Sequence, residues 1–227
     1  MLRSPFFEIL DKSETILLAG AGGGYDVLGA VPLYSELRAR GKTVHLGSLT
    51  FTALGNLPGA EPLPDSPHLY EITADLASRD LYCPEPWLAR WLSDRYTERL
   101  SVWCFEKTGV VPLEEAYRAL CERLEVDTIV LIDGGIDAIL RGDEASLGTP
   151  GEDLASIAAV ASLPEMKTLL ACLGFGAEMR EDIPHAQVLE RVAALTRSEH
   201  FLGVASLLSG MPATADYRDA LRFVLAN

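Results

Sequence analysis

A chain of 227 residues that is 48% hydrophobic can bury a sizeable core, and at this length one domain is the default. Its 33 acidic and 19 basic residues give a formal net charge of −14 and an isoelectric point near 4.7. That balance repels a phosphate backbone and the basic residues do not cluster, so the sequence argues against nucleic-acid binding. Cys83, Cys104, Cys121 and Cys172 have no paired spacing, which excludes a zinc site or disulfide framework and marks them as reduced core thiols. The apolar stretch near the amino terminus is too short for a signal peptide, and no apolar run matches a bilayer. The expectation is a cytoplasmic protein with no membrane partner.

In chain order, Thr15 to Ala19 is a short apolar run that ends in Gly20-Ala21-Gly22-Gly23-Gly24-Tyr25-Asp26. Val27, Val31, Leu33, Tyr34 and Leu37 then recur at roughly helical spacing until Gly41, so the segment reads as strand, glycine-rich turn and helix. Pro32 fits near a helix start or at a kink. A second strand is expected at Thr43 to Phe51, a proline-rich loop at Asn56 to Pro67 and a short strand at Leu69 to Thr73. Pro86 to Leu100 places Trp87, Leu88, Trp91, Leu92, Tyr96 and Leu100 on one helical stripe, and Val102 to Phe105 looks like a strand. Pro112 to Leu124 is an amphipathic helix, and Thr128 to Ile132 a strand buried on both faces. Thr149-Pro150-Gly151-Glu152 matches a capping box, and Leu154 to Leu163 is apolar on almost every side, which predicts a deeply buried helix. A strand at Lys167 to Leu173, a helix at Pro184 to Thr196, a strand at Phe201 to Leu208 and a helix at Asp216 to Leu225 complete the reading. Strands alternating with helices define a Rossmann-like α/β fold, a mostly parallel sheet with helices on both faces.

The densest chemistry lies between Ile129 and Asp153. Asp133 ends a buried strand, Gly134 and Gly135 follow, and Asp137, Asp143, Glu144 and Asp153 arrive within one loop and the start of a helix. Ligands of open α/β sheets bind outside the carboxyl ends of strands, and crowded carboxylates push their pKa values apart or hold a hard cation. Asp133, Asp137, Asp143 and Glu144 are therefore the candidate catalytic residues, as general base or Mg²⁺ ligands. The bland alternative is that Asp133 and Asp137 support a glycine turn and that Asp143 and Glu144 belong to a solvated cluster with Arg141. Gly22, Gly23, Gly24 and Asp26, with Gly134 and Gly135, are the candidate ligand-binding residues. The alternative for that loop is a turn needing positive φ with Asp26 as its N-cap. Glu178 is a secondary candidate at another strand end, and Thr149 reads as a cap.

Conventional NAD binding is disfavoured. Tyr25 stands where the third glycine of the dinucleotide fingerprint belongs, and the second strand ends in Leu46-Gly47-Ser48-Leu49-Thr50-Phe51 with no acid for a ribose hydroxyl. His45, His68, His185 and His200 have no ligand-like spacing, no Walker-type lysine follows the glycines, and nothing beside Cys83 would activate its thiol.

Gly-Ala-Gly-Gly-Gly-Tyr-Asp-Val at Gly20 to Val27, Asp-Gly-Gly-Ile-Asp at Asp133 to Asp137, Arg-Gly-Asp-Glu at Arg141 to Glu144 and Gly-Thr-Pro-Gly-Glu-Asp at Gly148 to Asp153 together resemble a prokaryotic domain-of-unknown-function family, number eleven fifty-two. The resemblance implies that these motifs form one site and transfers no reaction. Members of that family look longer at the carboxyl terminus, so the end at Asn227 reads either as a shortened form or as a natural end. The expectation is a binder of a small polar molecule, either an enzyme acting on a nucleotide, sugar or phosphorylated compound or a non-catalytic sensing or assembly module. Homo-oligomerisation is left open.

Overall fold

The computed structural model describes residues 4–77, 80–144, 146, 148, 151–176 and 183–227. Seven strands form one sheet in the order β3-β4-β5-β2-β1-β6-β7. They are β1 (Thr15–Gly20), β2 (Thr43–Thr50), β3 (Pro62–Leu63), β4 (Ser66–Ile72), β5 (Val102–Glu106), β6 (Thr128–Asp133) and β7 (Lys167–Cys172). From β5 to β7 all neighbours are parallel, while β4 runs antiparallel to both β5 and β3. This is the Rossmann-like α/β arrangement expected from the alternation of elements.

Successive residues of β1 and β6 face opposite sides of the sheet, and both sides are covered, so these strands are apolar without alternation. Ile16, Leu18, Val130 and Ile132 enter one core, with helices α2 (Asp26–Gly29), α3 (Val31–Ala39), α4 (Pro84–Tyr96) and α8 (Pro212–Leu225). Leu17, Ala19, Ile129 and Leu131 enter the other, with α5 (Val110–Leu124) and α6 (Gly151–Ala161). Helices α1 (Pro5–Asp11) and α7 (His185–Arg197) complete the described regular helices. No helix among the described residues is long and apolar enough to cross a membrane. Cys83, Cys104 and Cys121 are buried, Cys172 is partly so, and all four thiols are free.

Pro32 sits in the first turn of α3, just after the chain passes from α2 through Ala30, where its missing N–H breaks no helical bond. Gly41, at φ +81°, closes that helix, and Thr97 does the same for α4 in a left-handed conformation (φ 55°), ending it at Tyr96. Two expectations fail. Phe201 to Leu208 is not a strand: Gly203 at φ +113° breaks the extended run, Ser4 donates to the Leu202 carbonyl, and Val204 and Leu208 are exposed. Helix α6 is not deeply buried, because of its residues only Asp153, Ser156, Ala159 and Val160 are fully buried while Leu154 is exposed.

The chain places β2 and then β5 on one side of β1, and afterwards crosses to β6 and β7 on the other. Loops leaving the carboxyl ends of β1 and β6 therefore diverge, opening the crevice in which such sheets bind ligands.

Candidate functional site

The glycine loop after β1 and the Asp133 loop after β6 meet in that crevice, and Asp26 ties them together. Tyr25 is the N-cap of α2, and Asp26, the first helical residue, turns its carboxylate back to accept from the Gly22 amide (2.7 Å) and across to accept from the Gly134 amide (3.1 Å). Asp133 accepts from the Gly135 amide (2.6 Å) and the Ala138 amide (3.1 Å), which fixes the short 3-10 turn Asp137–Ile139. Asp153 comes from the first turn of α6. That helix is held against the glycine loop by Ser156, whose hydroxyl donates to the Ala21 carbonyl at 2.7 Å. Asp153 and Ser156, three residues apart, share one helix face.

One carboxylate oxygen from each of Asp26, Asp133 and Asp153 lies within 4.8 Å of the others. Asp133 and Asp153 are buried, and Asp26 is partly so. Burial raises all three carboxyl pKa values. Asp26 reaches about 7, with repulsion from Asp133 and Asp137 adding to the effect of burial and the Gly22 and Gly134 amides opposing it. Asp153 reaches about 8, pushed further by Asp133, Asp26 and Asp137. Asp133 is raised by burial and by Asp137, against the pull of its two amide donors. The Oδ1 atom of Asp153 is fully buried and has no hydrogen-bond partner among the described residues.

The glycines are there to let the carboxylates in. A Cβ on Gly22 would lie 2.5 Å from Asp153 Oδ2, one on Gly134 2.6 Å from Asp26 Oδ1, and one on Gly148 2.5 Å from Asp137 Oδ2. Gly23 and Gly24 answer to backbone shape instead, at φ +93° and +62°. The Gly22 amide, already engaged by Asp26, does not face a ligand.

Of the residues singled out from the sequence, Asp26, Asp133, Asp137, Gly22 and Gly134 converge here, with Gly23, Gly24 and Gly135 in the same two loops. Asp143 and Glu144 do not join the three clustered carboxylates. Glu144 accepts from the Arg141 and Gly142 amides and closes its own turn, and both acids line an open polar groove with Arg141, Gln187, Glu190, Arg191 and Arg197. Thr149 and Glu178 lie outside the described residues. Asp153 was not singled out as a site residue. Its sequence signal is a pair of polar residues, Asp153 and Ser156, at helical spacing within an otherwise apolar run.

Among the described residues, nothing around Cys83 activates its thiol. Its thiol is buried, is raised well above the usual range by burial and by Glu85, and donates to that carboxylate. Glu85 itself is fully buried at the start of α4. It accepts from Ser48 at 2.9 Å as well as from Cys83, and its carboxyl pKa is raised by burial.

Fold and site together define a Rossmann-like α/β protein with an acidic crevice at the switch point of its sheet. Residues 17–216 match the model of the family described as Protein of unknown function (DUF1152), and the chain belongs to that family. No match was found among curated proteins or among solved structures.

Proposed function

We propose that the crevice holds a divalent cation, Mg²⁺ or Mn²⁺, between Asp26, Asp133 and Asp153, and that the protein uses it as a cytoplasmic enzyme on a small anionic metabolite such as a nucleotide, sugar phosphate or other phosphorylated compound. The observation that carries this reading is Asp153 Oδ1, a buried carboxylate oxygen with no partner among the described residues, in a group of three acids. Unpaired buried charge costs several kcal/mol, and a hard cation with oxygen ligands removes that cost directly. The three oxygens lie within 4.8 Å of one another, so a small inward shift brings them to the roughly 4.2 Å that two oxygens about 2.1 Å from one ion can span. In a chain of net charge −14, a cation also supplies positive charge that an anionic substrate needs.

Bound there, the ion would polarise a phosphoryl or carbonyl oxygen of the substrate. Asp137, close enough to repel Asp26 and Asp153, would serve as general base. Asp26 would keep the two loops in register. Because its ligands must lose protons, binding should release protons and weaken below neutral pH.

The test is titration with Mn²⁺ alone, followed by calorimetry and by the electron paramagnetic resonance signal of the free ion. One tight site is expected, lost in Asp133→Asn and Asp153→Asn while both variants stay folded by circular dichroism. Absence of binding in the wild-type protein, or unchanged binding in both variants, would sink the metal reading. Multiple-turnover product formation from a phosphorylated substrate separates an enzyme from a sensing module using the same crevice.

A further inference from the structure

The rim of the crevice carries aromatic surface that neither the core nor the metal cluster uses. Tyr25, Phe51 and Tyr82 are 42%, 52% and 54% exposed, although large aromatic side chains usually bury most of their area. They come from three segments, the glycine loop, the residues after β2 and the approach to α4, yet they meet over one spot. The Tyr25 and Tyr82 rings stand edge to face with centroids 6.0 Å apart. A Cβ on Gly24 would lie 3.5 Å from the Phe51 ring and 3.6 Å from the Tyr82 hydroxyl. Thr52 donates to the Tyr82 carbonyl, and Ser48 and Cys83 both bond the buried Glu85, so the segments carrying Phe51 and Tyr82 are pinned at their bases. The ammonium of Lys107 lies 5.5 Å from the centre of the Phe51 ring and pairs with Glu152, the neighbour of Asp153.

From this arrangement we infer that Tyr25, Phe51 and Tyr82 form a stacking subsite for a nucleobase, so that the substrate class of the crevice is a nucleoside phosphate. The inference rests on the metal reading for its phosphate end. A Cβ on Gly22 would meet the Asp153 carboxylate and one on Gly24, two residues on, would meet the aromatic rings, so the acids and the rings flank one glycine turn whose two residues span at most about 7 Å. A nucleoside 5′-phosphate separates its phosphate from its base by a distance of that order. Flat rings of either purine or pyrimidine type stack on aromatic faces, whereas the Lys107 ammonium beside Phe51 repels an organic cation and offers a donor to the acceptor atoms of a base.

The experiment compares binding of adenosine and guanosine diphosphates, ribose 5-phosphate and inorganic pyrophosphate, each with Mn²⁺, and of adenosine and guanosine without metal, to the wild-type chain and to the double variant Phe51→Ala, Tyr82→Ala. A nucleoside diphosphate should bind at least about tenfold more tightly than pyrophosphate, and the double variant should erase that gap while leaving Mn²⁺ and pyrophosphate binding unchanged. A diphosphate no tighter than pyrophosphate, ribose 5-phosphate binding as tightly as the nucleotides, or a gap that survives the double variant overturns the subsite. If Mn²⁺ fails to bind, the metal reading falls alone, and the nucleosides decide the rim: binding lost in the double variant supports it, and no nucleoside binding refutes it.

Discussion

Replacing Asp153 with asparagine should stabilise the metal-free protein and abolish its response to metal. In the chelated wild-type chain, Asp153 titrates at about 8 instead of its ordinary 3.8. The folded state thus holds a proton that the unfolded chain gives up near pH 4, so stability is lost as pH rises from about 4 through about 8 and levels off above. At about 1.36 kcal/mol per pKa unit, the cost at pH 7 is roughly 4 kcal/mol as an upper bound, part of it shared with Asp26 and Asp133. Asparagine removes the charge but keeps the shape. What it loses is a negative charge in the first turn of α6, worth about 0.5 kcal/mol against the helix dipole, so the gain should win. Urea unfolding in chelator from pH 5 to 9 should show the wild-type midpoint falling with pH and the variant much flatter, with the variant ahead at pH 8.5. Saturating Mn²⁺ should raise the wild-type midpoint and leave the variant unmoved. A variant less stable than wild type at pH 8.5 in chelator, or a flat wild-type profile, would refute the account of Asp153.

Gly22→Ala would set a methyl group 2.5 Å from Asp153 Oδ2 at a position whose backbone an alanine can adopt, so Mn²⁺ affinity should drop by at least about tenfold with a stability loss near 1 kcal/mol; calorimetry and urea unfolding read the two separately. Glu85→Ala leaves the Ser48 hydroxyl and Cys83 thiol without their shared acceptor at a fully buried position, and denaturant unfolding should show a loss of about 2 to 3 kcal/mol. Leu18→Ala, in a strand covered on both faces, should cost about 3 kcal/mol by the same measurement and leave metal binding intact.

The sheet was readable because β1 and β6 are buried on both sides, and a run such as Ile129 to Ile132 advertises that burial in its composition. Phe201 to Leu208 carries a similar composition and misleads for the same reason. Apolarity reports a preference for burial, but only a neighbouring strand edge and an unbroken backbone, which Gly203 denies, make a strand. In the site, Asp133 was legible from its place at a strand end and Asp26 from the glycine loop that carries it. What composition could not reveal is that Asp26 spends both oxygens on amides, one of them 108 residues further along the chain, because no local pattern encodes a contact of that range. Asp153 was visible as one acid of the stretch from Ile129 but not as a site residue, because in a helix's first turn an acid has an ordinary reason to be. Asp143 and Glu144 stand closer to Asp133 in sequence than Asp153 does, yet α6 folds back and they do not.

Gly22, Gly134 and Gly148 each leave room for one carboxylate of the crevice, and this has a consequence for how the protein tolerates change. None of the three offers a side chain to a ligand, so a screen that scores residues by what they touch would pass over them. A methyl group at Gly22 or Gly134 would press on Asp153 or Asp26, and one at Gly148 would also meet a backbone at φ +60°, so variation at these positions should be filtered almost as strictly as at the acids themselves. Divergence of function in this family can therefore begin at positions whose missing side chain is what the site needs.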